Sequence, residues 1–319
     1  MQVLRKNDKF SFVAVENCAH APSAPIQLTD RTLILTSVPG ELNENWVKWI
    51  GETRTEALAD SNFVLLRNNQ SANPSVLDLE HEQLMREVTD TFWLLQLSGV
   101  LEYESASALQ GSIESDGYFS IRQMIQLRPF YLAGEKNVEA ITKDRLEEAV
   151  RAKAIRRQLR AAGTHQRFRR GLTILLESLH QKHGSERLHQ CVRALEALIL
   201  PATGKTRRQF ISRCRTFTIG NAGTEEILGS LFDMRSDVEH VHELDRSLQV
   251  IPAAQREEFG LRRTRQVTRL ACNAYRAVLE SAALLAQFAD DTTIAGFWHQ
   301  PENIRHSSWQ LQVNLPSVM

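Results

Sequence analysis

The chain has few cysteines, no long apolar run and no signal-peptide pattern, and each of these absences excludes a class of protein. Its cysteines, Cys18, Cys191, Cys214 and Cys272, are scattered. This argues against a disulfide framework or a zinc site and for a reducing compartment. No apolar run reaches the roughly 18 residues that a membrane span needs. The N-terminal "MQVLRKNDKFSFVAVE" lacks the layout of a signal peptide. We therefore expect a cytoplasmic protein that does not act at a membrane.

The length of 319 residues and the 42% hydrophobic content predict a folded protein with two domains. The predicted fold class is an α+β N-terminal domain followed by an all-α helical bundle, predominantly helical overall. We set the α+β domain at residues 1–140, the bundle at 141–290 and a C-terminal tail at 291–319.

Short β-branched and aromatic segments predict strands in the first domain. These segments are "FSFVAVE", "RTLILTSV" and "NFVLLRN", and "GYFSIRQMIQLRPFYLAG" is expected to be extended. Two helices are predicted, "NENWVKWIGETRTEALAD", with Asn43 or Asn45 as its N-cap, and "DLEHEQLMREVTDTFWLLQLSGVL". No segment resembles a cofactor fingerprint, and we predict no cofactor.

Helical patterns dominate from about Thr142 onward. Residues 142–162 form one basic helix that "GTHQ" ends, and four further helices and one long closing helix over 253–290 follow. In "SERLHQCVRALEALIL" we expect Ser185 as the N-cap, and in the tail we expect Trp298 and Trp309 to pack against a domain. The expected buried stripe of that helix is Leu188, Val192, Leu195, Leu198 and Ile199.

Charge divides unevenly along the chain. Residues 1–140 hold 11 Lys and Arg against 19 Asp and Glu, a net of −8, and the remainder holds 27 against 19, a net of +8. The segment "RAKAIRRQLRAAGTHQRFRR", residues 151–170, has eight Lys and Arg and no acid. Two interpretations stay open: a solvated basic helical face, or a track for the phosphates of a nucleic acid.

Two short motifs resemble a phosphate loop and a metal site, and neither has the spacing that such a site needs. "LPATGKT" ends like a phosphate loop, but Ile199 stands where the first glycine is needed, so Lys205 and Thr206 are expected to begin a helix. "EHVHE", residues 239–243, offers metal-ligand side chains, but its histidines are two residues apart and would point about 200° from each other on a helix. We therefore predict no metal.

"RSDVEH", residues 235–240, ends an amphipathic helix whose apolar positions are Ile227, Leu228, Leu231 and Met234. If the helix bends or ends there, its arginine and its histidine can face one concave surface. A histidine can transfer a proton and a guanidinium can offset phosphate charge, so the pair could cleave a phosphodiester without metal. The alternative is an Arg–Asp or Arg–Glu surface pair with a capping histidine.

The wider context resembles the Apea-like branch of the HEPN superfamily over roughly residues 165–290. "RLHQCVRALEALILP" supplies the family's "LE" helix through Leu195 and Glu196. "LFDMRSDVEH" then matches the family motif, with Arg235, Ser236 and His240 at its R-x4-H positions. The chain departs from the family at Phe232, where a tyrosine is commoner, and after its histidine, where a small residue is common.

The resemblance implies a HEPN-like bundle, typically a homodimer, and a metal-independent endoribonuclease that leaves a 2′,3′-cyclic phosphate and a 5′-hydroxyl. His240 would be the acid/base that helps to activate the ribose 2′-hydroxyl, and Arg235 would hold the scissile phosphate. Asp237 would orient either of them, and Ser236 would support the motif. Glu196 is expected to be a structural partner rather than a catalytic group, and His242 an exposed bystander rather than a second proton donor.

The resemblance also implies RNA as the partner and phage defence, or a toxin or stress response, as the setting. The N-terminal domain would be a sensor or would bind a regulatory partner or ligand. The alternative function is a non-catalytic HEPN-like module for dimerisation or for nucleotide or RNA binding. The expected RNA-binding residues are Arg151, Arg156, Arg157, Arg160, Arg167, Arg169, Arg170, Arg262 and Arg263.

Overall fold

The structure is a computed structural model that describes residues 3–18, 21–40, 42–71, 79–97, 105–113, 118–127, 141–179, 181, 183–239 and 248–318. The chain divides into two compact units. The first holds the described residues up to Lys153, and the second holds those from Ala154 onward. The division falls inside a helix, C-terminal to the boundary that the sequence suggested at residue 140.

A six-stranded antiparallel sheet forms the centre of the first unit, with the strand order β2-β3-β4-β1-β5-β6. Its strands are β1 (Asp8–Glu16), β2 (Ile26–Thr29), β3 (Thr32–Leu35), β4 (Ser61–Gln70), β5 (Ala106–Ile113) and β6 (Phe119–Leu127). The three predicted strands and the extended segment correspond to β1, β3, β4 and β6. Two strands, β2 and β5, were not predicted.

The two faces of the sheet carry different residues because side chains alternate along each strand. Phe10 and Phe12 of β1 lie in an apolar core with residues of α1 (Glu44–Ile50) and α2 (Glu52–Ala59). On the other face, the buried Lys9 pairs with Glu80 of α3 (Leu79–Leu97) at 3.1 Å. The sheet is therefore packed between helices on both sides.

The predicted helix at 43–60 is two helices. Gly51 separates α1 from α2 with φ of +92°, a conformation that favours glycine. The predicted cap is confirmed at Asn43, whose side chain accepts a hydrogen bond from the Trp46 N–H at 3.1 Å.

The second unit is helical, apart from a single bridge between Thr218 and Val313 in the part that the structure describes. Helix α4 (Lys143–Ala162) enters it from the first unit. It is followed by α5 (Gln166–Ser178), α6 (Gly184–Ile199), α7 (Thr206–Cys214), α8 (Thr224–Glu239), α9 (Arg256–Glu280), α10 (Ala282–Gln287), α11 (Asp291–His299) and α12 (Glu302–Ser308). Helix α6 packs against α5, α8 and α9 and so forms the centre of this unit.

Most predicted features of the helical half are present, and two differ. The stripe of α6 from Leu188 to Ile199 is buried, as predicted. Lys205 is the N-cap of α7 and Thr206 its first residue, which confirms that "GKT" begins a helix. Ser185, however, lies inside α6, whose N-cap is His183. The closing helix is also shorter, because Ser281 ends α9 and caps α10 through the Leu284 N–H.

The C-terminal segment packs against the helical unit through its aromatic side chains. Trp298 and Trp309 are both buried, and the Trp298 indole N–H donates to the Leu198 carbonyl of α6 at 2.9 Å. The ring of Trp309 lies 4.5 Å from that of Phe217, centroid to centroid. The prediction that both tryptophans pack against a domain is confirmed.

The fold class is confirmed at the coarse level: the described chain is α+β and predominantly helical. Assignment of the helical unit to the HEPN bundle stays a prediction. Among the described helices, none is both long enough and apolar enough to cross a membrane.

Candidate functional site

Helix α8 carries Arg235, the first residue of the R-x4-H segment, in its last turns. Its apolar positions Ile227, Leu228, Leu231 and Met234 are buried, as the spacing predicted. This burial fixes the rotation of the helix and therefore the direction in which each following side chain points. Predicted site residues His240 and His242 lie outside the described residues.

Arg235 forms an ion pair with a neighbouring helix. Its Nη2 donates to Oε2 of Glu196 on α6 at 2.9 Å, and each of the two side chains is only 15% exposed. The Arg235 Cζ lies 5.9 Å from the centroid of the Phe232 ring, which in turn lies 5.6 Å from that of Phe210 on α7. The ion pair with α6 therefore restricts the orientation of the Arg235 guanidinium, and the Phe232 ring beside it packs against α7.

The Glu196 carboxylate also affects the pKa of a buried thiol, that of Cys214. Burial, and then the negative charge of Glu196, raise the pKa of Cys214 at the end of α7 well above its usual value. Cys214 is completely buried. A thiol in this environment stays protonated at neutral pH and is not a nucleophile.

The other two motif residues lie on α8 beside Arg235. Asp237 is buried, and Ser236 is half-buried. Two residues along a helix correspond to a rotation of about 200°, so Asp237 leaves α8 on a different side from Arg235. The predicted orienting role of Asp237 towards His240 stays a prediction, because His240 is outside the described residues.

Eight of the nine predicted RNA-binding arginines fall into two groups. In the first group the side chains are exposed and have no ion-pair or hydrogen-bond partner among the described residues. It consists of Arg151 in the first unit and Arg157, Arg160 and Arg170 in the second. These side chains can contact a phosphate backbone without first breaking another interaction. Arg156 is half-buried.

The second group already has intramolecular partners. Arg167 chelates Asp291 through two hydrogen bonds of 2.7 and 2.8 Å. Arg169 donates to the carbonyl oxygens of Leu159 and Thr164 at 3.3 Å. These guanidiniums stabilise the helix ends around them, so an RNA phosphate would compete with existing contacts.

Arg262 and Arg263, the first two arginines of "RRTRQ" (residues 262–266), differ most from the expected surface track. Arg262 donates to the Pro316 carbonyl at 3.1 Å. Arg263 is 7% exposed, and it donates to Ser230 Oγ at 3.2 Å and to Gln266 Oε1 at 2.7 Å. Burial lowers the pKa of Arg263. Arg263 therefore joins α8 to α9 inside the unit and is not a surface contact for RNA.

Sequence reasoning overlooked one cluster of basic residues around α7. "GKTRR", residues 204–208, places three cations within four residues at the start of this helix. The charge density of this segment is visible in the sequence, but its spacing does not match a phosphate loop and predicts only the start of a basic helix.

Among the described residues, no three His, Cys, Asp or Glu side chains converge on one point. In "EHVHE", the side chain of Glu239 and residues 240–243 lie outside what the structure describes.

Comparisons with models of known protein families, with curated proteins and with solved structures found no match.

Proposed function

We propose that the chain is a metal-independent endoribonuclease of the HEPN type, acting as a homodimer in the cytoplasm in phage defence or another stress response. The observation that carries the proposal is the Arg235–Glu196 ion pair at the end of α8. It holds a guanidinium in one orientation, five residues before His240 and within a helical unit that also carries exposed arginines.

The proposed reaction needs one proton acceptor and one proton donor. A base takes the proton from a ribose 2′-hydroxyl, the 2′-oxygen attacks the phosphorus, and the bond from phosphorus to the 5′-oxygen breaks. An acid then protonates the leaving 5′-oxygen, which gives a 2′,3′-cyclic phosphate and a 5′-hydroxyl. His240 would carry protons in this scheme, and Arg235 would offset the charge that develops on the phosphate.

Binding of RNA would use the exposed arginines that have no partner among the described residues, Arg157, Arg160 and Arg170 in the second unit. Each phosphate contact releases bound counterions, so affinity should fall as salt rises. In this proposal the first unit senses a signal or binds a regulatory partner.

A second function is favoured by the same ion pair. Glu196 neutralises Arg235, and the 15% exposure of both side chains suits an interhelical contact as well as a catalytic one. On this basis the second unit would be a non-catalytic HEPN-like module for dimerisation or nucleotide or RNA binding.

Cleavage of total RNA in the presence of EDTA tests the two functions. The variants are Arg235→Ala, His240→Ala and Glu196→Gln, with Arg54→Ala and His299→Ala as controls, since both control residues are exposed. We expect the wild type and the controls to cleave, and Arg235→Ala and His240→Ala to lose at least about a hundredfold in rate. Glu196→Gln should lower the rate while the Kd for RNA stays within about twofold.

Stability must be measured in parallel because the ion pair is partly buried. Each substitution removes the charged hydrogen bond between the two side chains, which should cost about 1–3 kcal/mol of unfolding free energy in Arg235→Ala and Glu196→Gln. Urea titrations followed by circular dichroism will show whether the variants remain folded. RNA binding without cleavage by any form would favour the binding module. Cleavage that needs added metal, or that survives in both alanine variants, would contradict the ribonuclease.

A further inference from the structure

A basic cavity of about 510 Å³ lies where α7 begins, beside the start of α8. This volume is within the range of small-molecule sites in proteins. The side chains that give it its chemistry are Lys205, Arg207, Arg208, Ser212, Arg215 and Glu225. Four cations and one carboxylate therefore line it, although the chain as a whole has no net charge.

Two of the four cations are held by carboxylates. Arg207 makes two hydrogen bonds of 2.8 Å to Asp233 on α8. Gly229 allows this approach, because a Cβ there would lie 2.9 Å from the Arg207 Nη2. Arg215 donates to Glu225 at 2.6 Å and lies 3.6 Å from Glu302. These contacts engage the two guanidiniums in ion pairs within the protein.

The other two cations have no such partner. The side chains of Lys205 and Arg208 are exposed and form no ion pair or hydrogen bond with the residues that the structure describes. Holding two unpaired like charges in one concave wall is electrostatically unfavourable, and an anion in the cavity would relieve it. An ammonium and a guanidinium together offer a point charge and a planar fork of N–H donors, which suit phosphate oxygens.

The start of α7 adds to the same field. The N-cap Lys205 makes no side-chain capping bond, and the first turn of the helix has no acidic residue. The first backbone N–H groups of a helix have no intrahelical partner, and they carry its partial positive charge. They therefore favour an anion beside the first turn of α7, whose residues line the cavity.

We propose that this cavity is a binding site for phosphoryl groups, with Lys205 and Arg208 as the residues that contact the ligand directly. A multiply charged phosphoryl anion is favoured over a monocarboxylate because Lys205, Arg208 and the Ser212 hydroxyl line the same cavity. Its source would be a free nucleotide or oligophosphate, or the backbone of RNA. The inference does not depend on Arg235 or on cleavage, since its residues and its test are separate.

Calorimetric titration of the full chain with inorganic pyrophosphate and with oligouridylate tests the proposal. The pocket variant is Lys205→Met/Arg208→Met. The matched control is Lys48→Met/Arg54→Met, which removes the same two charges from exposed positions on α1 and α2. Circular dichroism will show whether each double variant is folded.

We expect the pocket variant to bind at least one probe at least about tenfold more weakly, because each charged hydrogen bond contributes about this much. The control should stay within about twofold. Glu225→Gln should bind more tightly than the wild type, because it removes the carboxylate that competes for Arg215. A merely destabilised protein would not gain affinity in this way.

The two probes identify the source of the phosphoryl group. Pyrophosphate binding that the pocket variant weakens, with oligouridylate binding unchanged, supports a small phosphorylated ligand. Oligouridylate binding that the pocket variant weakens and that pyrophosphate displaces supports RNA. Equal losses in the pocket variant and the control, or no effect of the pocket variant on either probe, would overturn the proposal.

Discussion

Arginine side chains only a few residues apart have different roles in this protein. Arg170 is exposed, whereas Arg167 on the same helix chelates Asp291 at the start of α11. The hydrogen bond to Asp291 raises the pKa of Arg167, and the bond from Arg167 lowers the pKa of Asp291. The partner, and not the residue type, decides what each arginine contributes.

Arg167→Met should reduce stability in a pH-dependent way. The folded-state pKa of Asp291 is depressed, so its contribution is present above the unfolded-state value of about 3.9 and is lost as pH falls through the folded-state value. Both side chains are more than a third exposed, so the expected loss at pH 7 is only about 0.2–1 kcal/mol. Urea unfolding at pH 7, 5 and 3 should show the loss shrinking with acidity. Arg170→Met is the control, and a loss that does not shrink would contradict the assignment.

Burial of individual side chains was only partly predictable. The sequence suggested that Arg263 faces RNA, since it lies in "RRTRQ", but it is buried between α8 and α9. The signal was in the helical spacing: Arg263 comes four residues before Val267 and seven before Leu270, both buried. The basic composition of the segment suggested a surface position, but the helical spacing already placed Arg263 on the apolar face of α9.

Helices and strands could be predicted where the local sequence has a strong propensity. They could not be predicted where tertiary packing determines the secondary structure. The strand β5, "ASALQGSI", has few large apolar residues and was not predicted. All eight of its residues are buried because it pairs with β1 on one side and β6 on the other. Small residues are needed there: a Cβ at Gly111 would overlap with the Ser120 carbonyl oxygen of β6.

Helix packing around α6 depends on another glycine. A Cβ at Gly171 of α5 would overlap with the Tyr275 hydroxyl and lie 2.7 Å from the Ala197 Cβ. Tyr275, from α9, is fully buried, and its hydroxyl donates to the Ala194 carbonyl at 2.7 Å. One residue without a side chain therefore allows α5, α6 and α9 to meet closely.

Gly171→Ala should destabilise the protein by about 1–3 kcal/mol through overpacking. Tyr275→Phe should cost about 1–2 kcal/mol, because it removes the buried hydrogen bond to Ala194. The double variant should lose less than the sum, since the phenylalanine makes room for the new methyl group. Denaturant titrations of the three variants measure this coupling, and strict additivity would contradict the proposed overlap.

At the scale of the whole molecule, the chain is two units, each with its own apolar core. The sheet unit is built around Phe10, Phe12 and Phe119, and the helical unit around α6. Charge follows a similar division along the sequence, with a net of −8 in residues 1–140 and +8 in the rest. Different surfaces for different partners are expected from this asymmetry.

Because each unit has its own core, we expect a destabilising substitution in one unit to leave hydrogen exchange in the other unit unchanged. Gly111→Ala should increase amide hydrogen exchange in β1, β5 and β6, and Gly171→Ala should do so in α5, α6 and α9, because each overlap lies within one core. Hydrogen-exchange mass spectrometry of the two variants and the wild type measures the pattern. Each variant is the control for the other, and increased exchange across both units in either would contradict independent cores.

The sequence by itself determined the helices of the second half, most strands of the first, and the buried stripes of α6 and α8, because these follow from periodicity within one segment. Only the tertiary structure decided the contacts between segments. Glu196 and Arg235 are 39 residues apart and meet because α6 packs against α8. The basic cavity also needs α7 and α8 side by side. Local propensity acts over a few residues, whereas an ion pair or a cavity exists only once distant segments have packed together.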